Sequence, residues 1–109
     1  MKVYAKTHKL TKILDKEQLI IKEFGKKRGK KIKQRVSEFK AASNLTEISY
    51  LPPPRLHLLS GNYKNCFSVD LNDNWRLIFC GLDSEDNLCC IKENCVSVYI
   101  KEVVDDHGN

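Results

Sequence analysis

The chain has 109 residues, 41% of them hydrophobic and 30% charged, with a formal net charge of +5. That length suits a single domain over residues 1–109 with one core, and the charged fraction suits a soluble protein. No apolar run approaches a membrane span, and Met1-Lys2-Val3-Tyr4 lacks the apolar core of a signal peptide. Five cysteines (Cys66, Cys80, Cys89, Cys90 and Cys95) show neither disulfide-framework spacing nor the twice-paired spacing of a zinc site. They read as cytosolic thiols, so a cytoplasmic home with no metal or other cofactor is expected.

In chain order, Lys2 to Lys6 reads as a short strand with Val3 and Ala5 on one face. Thr7 is placed to cap a short helix presenting Leu10, Ile13 and Leu14. Asp15, with Gln18 three residues later, is set to start a second helical segment containing Leu19 and Phe24. Gly25 and Gly29 weaken helix continuity. Beyond them Ile32, Val36 and Phe39 form one apolar stripe with lysines outside it. Pro52-Pro53-Pro54 closes the helical part, because each proline pushes its predecessor out of the helical region.

Residues 55 to 79 then alternate apolar and polar positions, the signature of half-buried strands. Leu56 and Leu58 share a face, as do Phe67, Val69 and Leu71, and Trp75, Leu77 and Phe79. The opposite face carries His57, Ser68, Asp70 and Arg76. A turn at Asn72-Asp73-Asn74 joins two strands, a polar loop runs from Gly81 to Asn94, and a last strand spans about Cys95 to Val104. In that strand Val96, Val98 and Ile100 face inward. Helices first and strands afterwards predict an α+β fold, with N-terminal helices on one face of a small, mostly antiparallel twisted sheet.

Charge is divided unevenly. Residues 1–64 hold 16 Lys or Arg against 5 acids, a balance of +11, whereas residues 65–109 hold 3 against 9, a balance of −6. The densest stretch includes Lys26, Lys27, Arg28, Lys30 and Lys31. A lone run of this kind is most often a solvated helix face. Joined to a polar sheet face it becomes a candidate surface for a polyanion, attracted through counterion release. An imidazole and a guanidinium on that face suit the binding or cleavage of a phosphodiester.

The ordered set Leu51-Pro52-Pro53, Arg55-Leu56-His57, Gly61, Phe67-Ser68-Val69-Asp70-Leu71 and Trp75-Arg76-Leu77-Ile78-Phe79 resembles HigB-type toxins of the RelE/ParE superfamily. The ending Glu102-Val103-Val104-Asp105-Asp106-His107 resembles that family's closing Asp-Tyr-His. The resemblance implies a toxin of a type II pair, with a small helix-turn-helix antitoxin of the HigA kind as partner. It also implies an endoribonuclease that enters the ribosomal A site and cuts mRNA there, with no small-molecule substrate and no membrane partner. It places His57, Arg76, Asp105 and His107 on functional positions, with Asp106 beside them as a possible base.

RNA cleavage by its own 2′-hydroxyl needs a base, a cation for the phosphate and a donor for the departing oxygen. Arg76 fits the phosphate, and His57 and His107 fit proton transfer. Lys64 is a further phosphate contact. Two positions depart from many relatives: Ser60 stands where they carry Lys, and Asp106 where they carry Tyr. Two other readings remain open from the residues, a ParE-type gyrase poison that needs no catalytic group and a plain RNA-binding module.

Overall fold

The computed structural model describes residues 1–105. Strand β1 (Lys2–Ala5) leads into helices α1 (His8–Ile13), α2 (Glu17–Phe24) and α3 (Lys26–Ala41). Strands β2 (His57–Leu58), β3 (Phe67–Asp70), β4 (Trp75–Leu82), β5 (Leu88–Cys89) and β6 (Ser97–Asp105) follow. The sheet order is β1-β6-β4-β3-β2, with β5 paired to β4. Every pairing is antiparallel except β1 with β6. The fold is α+β, as expected, on a mixed sheet.

Local chemistry sets the helix boundaries. Thr7 caps α1, its hydroxyl accepting from the Leu10 N–H at 3.0 Å. Asp15 does not cap α2. That helix starts after Lys16 with no side-chain cap, and the Asp15 carboxylate lies 3.6 Å from Lys40 Nζ instead. Ile20 is fully buried while Leu19 is exposed, so α2 turns Ile20 and not Leu19 into the core. Gly25 makes the break between α2 and α3 with φ +87°, a conformation glycine adopts without strain. Gly29 does not interrupt α3. It is buried there because a Cβ would come within 3.0 Å of the Ile21 backbone, so its hydrogen lets α2 and α3 approach closely.

Ile32, Val36 and Phe39 carry the α3 stripe into the core, against Leu56, Phe67, Val69, Leu77, Phe79, Val98 and Ile100. Phe39 meets Phe79 at 4.8 Å between ring centroids, and Phe79 stacks on Phe67 at 5.7 Å. Leu58 faces the same way but is half exposed, because β2 is a two-residue edge strand. Val96 precedes β6 and is exposed, contrary to expectation.

β6 contains a bulge. Ile78 pairs with Glu102 and Phe79 with Ile100, so Lys101 is the extra residue. This one-residue slip lets Val98 and Ile100 face inward and then Val103 as well, although strict alternation forbids it. The polar loop expected after Gly81 is shorter than its composition suggests: β4 runs to Leu82 and forms a small hairpin with β5.

The face away from the helices is not open. Cys66, Ile78 and Cys80 are buried there, with Leu59, Tyr63, Tyr99 and Val104 packed around them. Residues 59–65 fold back over this second cluster, fixed by Leu59 N–H to Cys66 O at 2.8 Å and Cys66 N–H to Tyr63 O at 2.9 Å. Ser68, read as displayed, is therefore fully buried.

Gly81 is the tightest point of the sheet. A Cβ there would collide with Cys95 Sγ and lie 2.9 Å from the Cys89 carbonyl, and Cys95 is itself fully buried. Gly81→Ala should cost about 2–3 kcal/mol by overpacking, read as a lower urea midpoint at unchanged slope.

Candidate active site

Cross-strand partners share a face of the sheet. The register therefore lines up His57, Ser68, Ile78 and Glu102 in one row, and Asp70, Arg76 and Val104 in the next. His57 and Arg76 stand two strands and one two-residue step apart, about 12 Å between Cα atoms. Their side chains rise from the same face, a separation a phosphodiester segment can bridge.

His57 is half-buried and held from below. Its Nδ1 lies 3.0 Å from the Arg55 carbonyl, which can only accept, so Nδ1 carries the proton. Ser68 Oγ sits 3.2 Å from Nε2 and 3.4 Å from Nδ1. An oxygen in the ring plane at both distances would collide with the ring carbon between the nitrogens, so the hydroxyl lies over the ring face. The in-plane lone pair of Nε2 consequently points away from Ser68. This is the tautomer and orientation a general base needs.

Arg76 is half-buried rather than fully exposed, and it stands opposite Asp70 in the hairpin. The bidentate partner of Asp70 is Arg55: Nε to Oδ2 at 2.7 Å and Nη2 to Oδ1 at 3.0 Å. The Asp70 main chain is equally engaged, its N–H donating to Pro54 O at 2.7 Å and its carbonyl accepting from Arg35 Nε at 2.7 Å. Arg35 is fully buried, and its Nη1 lies 3.1 Å from both carboxylate oxygens of Glu38. Arg55, Asp70, Asp73, Asn74, Trp75 and Arg76 line a small polar cavity of about 130 Å³. Sequence reasoning did not single out Arg55 as a site residue. The available signal was its place two residues before His57, on the same face of an alternating segment.

The basic residues divide by environment. Lys26, Lys27 and Lys30 are exposed on α3, and Lys31 is half-buried. Lys27 lies 3.6 Å from Asp73 in the β3–β4 turn. Arg28 sits with its guanidinium carbon 3.5 Å from the centroid of the Trp75 ring, a cation–π contact that ties α3 to the same turn. Trp75 is accordingly half-buried rather than sealed in the core. Lys64 is exposed on the loop over the outer face, next to Tyr63, whose hydroxyl donates to Glu102. That hydrogen bond raises the Tyr63 pKa above its usual value, so the phenol stays protonated.

Asp105 is not brought onto the face of His57 and Arg76. The Lys101 bulge shifts the parity of β6, and Asp105 ends up opposite Trp75, on the helix side. Asp106 and His107 lie outside the described residues.

A family model described as the RelE-like toxin of the type II toxin–antitoxin system HigB matches residues 6–92. The chain belongs to this family. Comparison with curated proteins gave no match. The matched segment contains His57, Arg76 and the whole of α3, and it ends before the Asp105-Asp106-His107 segment. The protein is therefore a RelE-like toxin of a type II toxin–antitoxin system, and an antitoxin is its implied partner.

Among the described residues, no group of three or more His, Cys, Asp or Glu side chains is placed to hold a metal ion, and no helix is long and apolar enough to cross a membrane. Burial, followed by the hydrogen bond to Cys66, pushes the Cys80 thiol up to about 11. Burial likewise takes Cys95 to about 12. Neither thiol is a nucleophile at neutral pH.

The toxin's Arg28 should act in packing and Lys26 should not. Arg28→Gln should lower stability by about 1 kcal/mol through loss of the Trp75 contact, whereas Lys26→Gln should stay within about 0.5 kcal/mol of the parent in the same urea titration.

Proposed function

We propose that the toxin cuts mRNA in the ribosomal A site, by attack of an RNA 2′-hydroxyl on the adjacent phosphate. His57 takes the proton of that hydroxyl at Nε2, while its Nδ1–H stays anchored on the Arg55 carbonyl. Arg76 meets the charge that grows on the phosphate oxygens with two fixed donors. The proton for the departing 5′-oxygen comes from His107 or Asp106. Lys26, Lys27, Lys30, Lys31 and Lys64 supply positive charge towards ribosomal RNA and mRNA, sequence-independently and with strong salt dependence, whereas Arg28 is held on Trp75. On this reading the toxin acts in the cytoplasm and is restrained by a HigA-like helix-turn-helix antitoxin.

The observation that carries the reading is the pairing on one face of a tautomer-fixed imidazole with an arginine. A gyrase poison of the ParE type requires neither. The departures at Ser60 and Asp106 remove a cation and a ring that many relatives have, which leaves more of the phosphate charge to Arg76.

Arg76→Ala should fold, with stability within about 1 kcal/mol of the parent. It should lose about 3 kcal/mol of transition-state stabilisation, roughly a hundredfold or more in rate. Arg76→Lys should recover part of this, since an ammonium keeps the charge but not the paired donors. His57→Ala should fall between them. The measurement is cleavage of mRNA on programmed ribosomes, with 5′ ends mapped, alongside growth after induction. A folded Arg76→Ala that cleaves like the parent would place the active face elsewhere.

A further inference from the structure

We propose that Cys66 and Cys80 form a modification site, a thiol pair that a peroxide closes into a reversible disulfide locking β3 to β4. The inference stands apart from the RNA-cleaving reading, because it concerns sulfur chemistry and the stability of the fold.

Backbone register brings the two sulfurs together. The pairs of β3 and β4 run from Asp70 with Arg76 to Phe67 with Phe79, so one step further sets Cys66 opposite Cys80. At the other end the Leu71 N–H donates to the Trp75 carbonyl at 2.9 Å, which marks that pair as hydrogen-bonded. Alternation then makes Phe67 with Phe79 a hydrogen-bonded pair and Cys66 with Cys80 a non-hydrogen-bonded one. Such pairs hold their Cα atoms about 4.5 Å apart, inside the range of about 4.4–6.8 Å that a disulfide spans. The Sγ atoms are already 3.5 Å apart as thiols. The other three cysteines donate to oxygen: Cys95 to the Cys89 and Ile91 carbonyls at 3.3 Å, Cys89 to the Ile91 carbonyl at 3.5 Å, and Cys90 to Asn65 Oδ1 at 3.6 Å.

The surroundings set the order of the chemistry. Cys66 adjoins the exposed Asn65 and lies in the cluster under residues 59–65, beside the two-residue edge strand β2. A local opening of that cover admits a small oxidant. Burial and then the hydrogen bond to Cys66 push the Cys80 thiol up to about 11, while Lys101 acts in the opposite direction. The Cys66 contribution disappears once Cys66 is oxidised, so Cys66 meets the peroxide and Cys80 resolves it.

Cys66 Sγ takes one oxygen of hydrogen peroxide as the O–O bond breaks, giving a sulfenic acid and one water. Cys80 Sγ then attacks the Cys66 sulfur. The S–S bond forms as the S–O bond breaks, and the oxygen leaves with the Cys80 proton as a second water. Two electrons pass from the sulfurs to one peroxide. In a reducing compartment the pair rests as thiols, and thiol exchange reopens the bridge. While closed, it ties the short loop from Cys66 to Cys80 in the unfolded chain and so favours the folded one.

The folded, reduced protein, exposed to hydrogen peroxide and then denatured, should leave three of its five thiols open to alkylation. Peptide mapping should join Cys66 to Cys80 within one chain. The oxidised protein should need more urea to unfold, with an unfolding constant about a hundredfold smaller, and dithiothreitol should reverse both changes. Cys90→Ser should behave as the parent, whereas Cys66→Ala and Cys80→Ala should form no bridge within the chain. The map of the parent protein decides the matter even where an alanine variant fails to fold. A bridge through Cys89, Cys90 or Cys95, a bridge between chains, or a full count of free thiols would overturn the inference. So would a Cys66–Cys80 bridge that leaves the urea midpoint unchanged, since β3 would then not be locked to β4.

Discussion

A guanidinium with almost no solvent contact, that of Arg35, joins the helical layer to the sheet at the point where the site is built. It spends Nε on the Asp70 carbonyl and Nη1 on Glu38, one turn along its own helix. A buried cation without such partners would be strongly destabilising, so the geometry of α3 and the end of β3 are fixed together. Asp70 then distributes that constraint. Its N–H holds Pro54, its carboxylate holds Arg55, and its strand position places Arg76 opposite. Arg55 in turn orients His57. Displacing α3 by an ångström would move this entire chain of contacts.

The fold class was legible because its signals are local and redundant. The apolar stripe of Ile32, Val36 and Phe39 and the alternation in Phe67-Ser68-Val69 each specify a face, and the structure buries Ile32, Phe39, Phe67 and Val69 as read. Two things were not legible. Alternation identifies the apolar side of a strand but not what covers the other, and Cys66, Ile78 and Cys80 are small or isolated enough to pass as neutral positions. Their burial depends on residues 59–65 folding back, which turn chemistry alone does not reveal. The bulge at Lys101 was equally hidden, because an inserted residue shows only against its partner strand. It decides where Asp105 faces.

The candidate site was legible in part for the same reason. His57 and Arg76 sit on well-patterned strands, so their shared face could be read before their neighbours were known. Arg55 lies just ahead of β2 with a positive φ, a conformation that side-chain type does not betray. Arg28 illustrates the reverse. Within a lysine-rich run it looks like one more surface charge, yet the structure sets it over Trp75 and gives it a packing role. Counting basic residues would therefore overstate the charge available to a nucleic acid.

The central claim is chemical: the RNA supplies the nucleophile, and His57 and Arg76 serve its attack. The most direct measurement replaces the ribose at the cleaved position of a ribosome-bound mRNA with 2′-deoxyribose and analyses the product ends. The account predicts that the all-ribose mRNA gives a 2′,3′-cyclic phosphate and a 5′-hydroxyl, and that the substituted mRNA stays intact at that position. Scission at the deoxy position, or a 5′-phosphate product, would show that water attacks instead and would contradict the roles assigned to His57 and Arg76.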